Sequence, residues 1–210
     1  MIGWLYCNLR ANLQPMGKTV KRGLRRSAPH VIERHVAIRL LASPLRQAIL
    51  DAVSADGPLS VAELSGVCRR PPDRLYYHVK RLLAVGLLVP APDGGGRREA
   101  AFDVAGRPMS IRYNPGIEGN RRAVVGVMNG MLRAARQDFS RGFRAGVKGE
   151  GPRRRLWVGR VEGTLTETEI GRLNRLLSEA VALVMSSWRR PGRSARTHQL
   201  TWVSSPARER

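Results

Sequence analysis

Two short signals restrict the middle of this chain more than anything else in it: Ser60-Val-Ala-Glu63 and Pro71-Pro72. The first is a capping box, in which the Ser60 hydroxyl accepts from the Glu63 amide while the Glu63 carboxylate accepts from the Ser60 amide, so that a helix begins at once. The second sets a proline in a first helical turn, where its missing N–H is no loss. Between them Val61, Leu64 and Val67 make the apolar face of a short helix that ends near Cys68, and Arg69-Arg70 leaves room only for a tight turn. The chain must run helix, turn, helix here.

The flanks extend the motif. From Val31 a helical pattern with Ile32, Val36 and Leu40 on one side stops before Ser43-Pro44, because proline disfavours helix in its predecessor. Pro44 then opens a second helix whose face is Leu45, Ile49, Leu50 and Val53, broken by Asp56-Gly57. The helix that Pro72 opens runs over 72–85 and closes on Gly86. On a wheel of about 100° per residue, Leu75, His78, Val79 and Leu82 share the inner side, while Asp73, Arg74, Tyr77, Lys80 and Arg81 form an outer cationic strip bearing an aromatic, with Tyr76 on its flank. Residues 87–104 read as a hairpin: Leu87 to Ala91 as an edge strand that tolerates Pro90, Asp93-Gly-Gly-Gly96 as its tip, and Arg98 to Val104 as the return. Arg97 and Arg98 fall at the tip, where a hairpin beside a groove-bound helix meets phosphates or a minor groove.

A second module is expected over 114–210. Asn120 to Phe143 reads as a helix with a stripe of Val124, Met128, Met131, Ala135 and Phe139, widened by Val125 and Leu132, and Gly126 and Gly130 invite close approach of another helix. Leu156 to Val161 reads as a strand. Thr166-Glu-Thr-Glu169 is another capping box, opening a helix through Ile170, Leu173, Leu177, Ala180, Val184 and Trp188. A basic loop from Arg189 to Arg196 leads to a last strand, Gln199 to Val203. The expected class is therefore mainly α with small β elements: a winged helix-turn-helix over 29–113, then a small α+β domain in the order helix, strand, helix, strand.

Charge says what such a chain meets. Its 37 Lys and Arg against 16 Asp and Glu give a formal net charge of +21, for which a polyanionic partner is the simplest reason and a genome rich in Arg codons the bland one. Residues 1–28, with Lys18, Lys21, Arg22, Arg25 and Arg26, are expected to be a mobile basic arm offering phosphate contacts, or else a plain solvated tail, with Met16 as an alternative start to Met1. The opening MIGWLYCNL is apolar but has no basic region before it and no cleavage site after it, so it does not read as a signal peptide. Cys7 and Cys68 stand alone, and His30, His35, His78 and His198 are scattered, which predicts no metal site, no cofactor and no disulfide framework, and fits a cytoplasmic, nucleoid-associated location. Cys68 reads as a small buried hydrophobe, and His78 as a plug at a core edge in preference to a phosphate contact.

The stretch from Leu41 to Leu88 resembles the ArsR-type winged-helix regulators, in the branch with a Tyr-His-hydrophobic-basic-basic-Leu recognition helix. The likeness rests on Ser43-Pro-Leu-Arg46, on Ser60 to Leu64, on Tyr77 to Leu82 and on Gly86-Leu87. It implies a homodimer that sets one recognition helix in each of two successive major grooves and represses transcription until an effector changes the dimer. It further implies DNA contacts from Arg74, Tyr76 and Tyr77, beside which Arg69, Arg70, Lys80, Arg81, Arg97 and Arg98 are candidate DNA-binding residues: Arg74 can fork onto guanine, Tyr77 can donate to a phosphate or pack on a thymine methyl, and Lys80 and Arg81 reach phosphates. Metal-sensing members carry thiolates in the third helix, where this chain has Ser60, Ala62 and Ser65, so soft-metal sensing is not expected.

The expected function is that of a sequence-specific double-stranded DNA-binding transcriptional regulator on a palindromic operator, in the sense of a repressor. The alternative is a basic RNA-binding or nucleoid-associated protein without sequence preference. No enzyme is expected, since Asp138, Glu150, Glu162, Glu167, Glu169 and Glu179 are spread over helices and turns with no catalytic grouping, and no membrane partner either. Trp157, Trp188 and Trp202 are read either as anchors of a small core or as the lining of an unknown small-molecule effector site.

Overall fold

The computed structural model describes residues 6–7, 28–91, 99–114, 116–144, 150–152, 154–186 and 198–207. The chain divides into two compact units, 1–131 and 132–210. The first opens with β1 (Tyr6–Cys7), β2 (His30–Ile32), α1 (His35–Leu40), α2 (Pro44–Asp56), β3 (Leu59–Ser60), α3 (Val61–Cys68) and α4 (Pro72–Ala84). β4 (Leu88–Pro90), β5 (Ala101–Val104), β6 (Met109–Ile111) and the first half of α5 (Glu118–Arg144) complete it. The rest of α5 and α6 (Glu167–Ser186) form the second.

Two small sheets frame the helices. β3, β5 and β4 pair antiparallel, with Leu59 opposite Phe102 and Leu88 opposite Val104. This is the wing sheet, and β4 takes the edge that Pro90 can occupy without a lost ladder bond. β6 runs parallel between β1 and β2, with Ile32 opposite Ile111 and Cys7 opposite Ile111 from the other side. Parallel pairing needs a long crossover, and α1 to β5 supplies it. Gly106 lets this return pass close to the chain entering β2, since a Cβ there would stand 2.8 Å from the His30 Cβ and closer still to the Ala28 carbonyl.

This sheet corrects the expected first helix. Val31 and Ile32 are strand residues and the helix keeps only His35–Leu40. The apolar spacing of Ile32, Val36 and Leu40 is real, but Ile32 is buried by pairing with β6, and Val36 is left exposed. The arm over 1–28 lies mostly outside the described residues, and its Tyr6–Cys7 is a strand where no strand period is legible.

The core joins Ile38, Leu41, Ile49, Val53, Leu64, Leu75, Val79, Leu82, Leu87 and Leu88, all essentially inaccessible. Each such leucine or isoleucine contributes roughly 1.5–3 kcal/mol of transfer free energy. The polar residues inside are bonded. Asn120, buried, accepts from the Asn114 amide at 2.8 Å and donates to the Arg112 carbonyl at 3.0 Å, clipping the exit of β6 to the start of α5. Arg107 donates to the Val53 carbonyl at 2.8 Å and the Ser54 carbonyl at 3.3 Å while pairing with Asp103 at 2.5 Å. It thereby caps the last turn of α2, which carries no basic residue of its own, and ties the wing sheet to it.

α5 lays Asn120, Ala123, Val127 and Gly130 inward, and Val124 and Met131 pack against the same core. Gly126 and Gly130 do not serve a helix–helix approach: a Cβ at Gly130 would stand 2.6 Å from the Ala42 carbonyl oxygen, so the glycines seat the turn between α1 and α2. In the second unit Phe139 and Phe143 meet edge to face at 5.2 Å, and Val181 of α6 is buried. The capping box at Thr166 is formed, with the Thr166 amide donating to Glu169 Oε2 at 2.8 Å and the Glu169 amide donating to Thr166 Oγ1 at 3.3 Å. The fold class is mainly α with small sheets, but the strands expected at 156–161 and 199–203 are not strands here. A strand exists only by pairing, and the alternation in these segments finds no ladder partner among the described residues of one chain. Trp188 lies outside the described residues.

Candidate nucleic-acid interface

The site is built on α3, its turn and α4. The capping box is formed as read: the Ser60 amide donates to Glu63 Oε2 at 2.8 Å and the Glu63 amide donates to Ser60 Oγ at 3.3 Å. At the other end Arg69 takes a left-handed conformation, φ 51° and ψ 48°, and the Ser65 hydroxyl donates to the Arg70 carbonyl at 2.7 Å. This closes the turn within three residues, and Pro71 and Pro72 relaunch the chain into α4 with the Arg74 amide donating to the Pro71 carbonyl at 3.1 Å.

α4 has two faces of opposite character. Leu75, Val79 and Leu82 are buried, and Asp73, Arg74, Tyr76, Tyr77, Lys80 and Arg81 are exposed, together with Arg69 and Arg70 on the turn before it. Two tyrosines 60% and 58% exposed on one helix are unusual for a surface with no partner. Arg81 braces Tyr77: its guanidinium lies 5.7 Å from the ring centroid and Nη1 donates to Tyr77 Oη at 3.2 Å. With that oxygen accepting, the tyrosine O–H remains available as a donor. Arg97 and Arg98 at the wing tip lie outside the described residues, whereas the strands that carry the tip, β4 and β5, are in place.

One member of the site was not singled out from sequence. Arg46, near the start of α2, donates from Nε to the Leu40 carbonyl, and its charged form is disfavoured chiefly by burial and then by Arg81, with Tyr77 acting the other way. It is a further cationic side chain of α2, close enough to Arg81 and Tyr77 of the outer strip to interact with both. Its motif, Ser43-Pro-Leu-Arg46, was legible, but a wheel drawn for α4 alone cannot show a residue of another helix reaching under it. His78 sits at this junction, its ring 5.4 Å edge-on to Tyr77 and its buried Nδ1 without a hydrogen-bond partner. Burial, then Arg46, lowers its pKa, which suits the plug at a core edge. Cys68 packs against the core, and burial first, then Asp51, pushes its thiol up to about 11, so it is not a reactive thiolate.

Of the tryptophans read as core anchors or as an effector lining, Trp157 and Trp202 lie on the surface and Trp188 lies outside the described residues. Trp157 is 75% exposed, with the Arg154 guanidinium 3.8 Å from its ring centroid, and Trp202 is also exposed. An open cleft of about 430 Å³ on α5 is lined by Arg133, Arg136, Gln137, Ser140 and Arg141, a cationic set.

The helix-turn-helix domain family matches residues 41–90, the span from the turn before α2 to the end of β4. The chain thus contains a winged helix-turn-helix domain, the class of module on which DNA-binding transcriptional regulators are built. Among solved structures, it is similar to a multiple antibiotic-resistance repressor (MarR) from Listeria monocytogenes, with 16% identity, 71% of this chain and 82% of that one covered, and a TM-score of 0.27. RV1404 from Mycobacterium tuberculosis is similar at 16% identity over 70% of this chain and 81% of that one, with a TM-score of 0.28. The S-adenosylmethionine-dependent methyltransferase SibL is similar at 17% identity over 54% of this chain and 31% of that one, TM-score 0.28. TM-scores this low establish neither a common fold nor a common activity. No curated protein matches the chain. Among the described residues, no helix is long and apolar enough to cross a membrane.

Proposed function

We propose that this protein is a sequence-specific double-stranded DNA-binding transcriptional regulator of the ArsR-type branch, a repressor that binds a palindromic operator as a homodimer. The observation that carries the reading is α4: an apolar underside fixed in the core, and an outer face of Arg74, Tyr77, Lys80 and Arg81 with two exposed tyrosines. A helix presented in this way fits the major groove, with Arg74 near its N-terminal end addressing base edges and Tyr76, Tyr77, Lys80, Arg81, Arg69 and Arg70 addressing the backbone. Arg97 and Arg98 extend the contact from the wing. Residues 29–113 are the reading head and 114–210 serve dimerisation or an effector, in a cytoplasmic, nucleoid-associated protein that binds and does not catalyse. One recognition helix buries too little for tight specific binding, so two half-sites about 34–36 Å apart are the solution. Val125 and Leu132, exposed on α5, support a subunit contact there. The cationic lining of the α5 cleft favours an anionic small-molecule effector.

The net charge of +21 favours a second reading, general polyanion binding without sequence preference. Selection from a random duplex library separates the two. Recovery of one inverted repeat supports the operator reading, and Arg74→Ala then costs about 1–3 kcal/mol on that site and relaxes one base position. Lys80→Ala weakens specific and random DNA alike and lowers the salt slope by about one unit. Equal losses on both DNAs from Arg74→Ala sink base reading, and a library that returns no motif leaves the protein a non-specific binder.

A further inference from the structure

Residues 156–165 of the second unit belong to no helix or strand, yet their sequence alternates like one. Trp157, Gly159, Val161, Gly163 and Leu165 make one side; Leu156, Val158, Arg160, Glu162 and Thr164 make the other. Both ends are held. Leu156 rests on α5 at Gly142, where a Cβ would stand 2.5 Å from its Cδ2, and the capping box at Thr166 fixes the exit into α6. What lies between is apolar and outside: Trp157, Val158 and Val161 are 75%, 80% and 96% exposed. Exposed apolar side chains in a row mark an interaction surface.

Charge identifies the occupant. Reading outward from Val161, Arg160 is balanced by Glu162, Gly159 by Gly163, Val158 by Thr164 and Trp157 by Leu165, and the series stops at Thr166, the cap of α6. Arg160 and Glu162 of one chain are 4.0 Å apart, both exposed. A segment with Arg160 and Glu162 at equal distances from its centre complements a copy of itself running antiparallel, because each charge then opposes its opposite.

We infer that residues 157–165 pair with the same segment of a second copy, antiparallel about a two-fold axis at Val161, to form a ribbon between subunits. Arg160 then faces the partner copy's Glu162, while Trp157 packs on its Leu165 across a face opened by glycines. The ribbon supplies this exposed, strand-like segment with a ladder neighbour that the described residues of one chain do not offer. It rests on the dimer reading above but uses residues other than Val125 and Leu132 of α5.

The test is made on the full chain. Directly opposed residues in antiparallel strands have Cα atoms about 4.5–5.5 Å apart, inside the disulfide range of roughly 4.4–6.8 Å, whereas the two copies of residue 158 would be about 20 Å apart. Under mild oxidation Val161→Cys should become a covalent dimer on non-reducing gels roughly tenfold faster than Val158→Cys or the wild type, whose Cys7 and Cys68 set the background. Both positions are exposed, so folding is not at stake. Arg160→Glu alone should raise the dimer dissociation constant in sedimentation by about threefold or more, and Arg160→Glu with Glu162→Arg should restore it. A wild type that sediments as a dimer while Val161→Cys links no faster than Val158→Cys overturns the ribbon and leaves the dimer standing. A monomeric wild type overturns both.

Discussion

Gly126 and Gly130 lie one turn apart on α5 and face the same residue, Ala42, yet replacing each with alanine should move stability in opposite directions. In a helix interior, Gly to Ala is worth about 1 kcal/mol in favour of the helix at either position. At 126 the new Cβ would meet the Ala42 Cβ at 3.4 Å, an ordinary contact, so Gly126→Ala keeps that gain. At 130 it would stand 2.6 Å from the Ala42 carbonyl oxygen and 3.1 Å from its carbonyl carbon, with Gln47 Nε2 at 3.3 Å. That turn has little freedom to retreat, because buried Gln47 donates to the Leu41 carbonyl at 2.5 Å and the Ala42 amide donates to the Arg39 carbonyl at 3.2 Å. Overpacking costs roughly 1–3 kcal/mol, and a contact this short against backbone takes the upper part of that range, about 2–3 kcal/mol, which exceeds the propensity gain and leaves Gly130→Ala about 1–2 kcal/mol less stable than the parent. Urea unfolding of the parent and both variants at one protein concentration measures this, since dimerisation would otherwise shift the midpoints. A Gly130→Ala protein as stable as the parent would refute the close seating of α5 on the α1–α2 turn. Equal losses at both positions would refute the distinction drawn from the distances.

Met128 lies on α5 between the buried Val127 and the exposed Val125 side, half-buried. Met128→Glu should give a folded monomer by sedimentation with operator affinity reduced at least about tenfold; a variant that stays dimeric, or that unfolds, assigns Met128 to the subunit core. His78 gives a pH dependence whose sign follows from its lowered pKa. Below about pH 6.5 the unfolded chain takes up a proton that the folded one resists, so this contribution is intact above that pH and is lost as pH falls towards the folded pKa. Urea midpoints between pH 7 and pH 5 should fall less steeply for His78→Leu than for the parent, and parallel curves would place the acid sensitivity elsewhere.

What the sequence determined by itself is what local physics decides. The Ser60–Glu63 and Thr166–Glu169 boxes, the proline starts at Pro44 and Pro72 and the left-handed Gly86, with φ 74°, each act within a few residues, and α2, α3, α4 and α6 begin where those signals put them. The two faces of α4 followed from its period alone, because one helix carries both. Tertiary structure decided what depends on partners distant in sequence. Ile32 fits a helical period and a strand equally well, and its pairing with Ile111 settled the matter. Arg46 entered the site because α2 crosses beneath α4, and Gly126 and Gly130 found their neighbour in the Ala42 turn instead of another helix. At 156–161 the alternation was legible, but a strand is a relation between two segments, and whether the second is found depends on what comes to lie beside it.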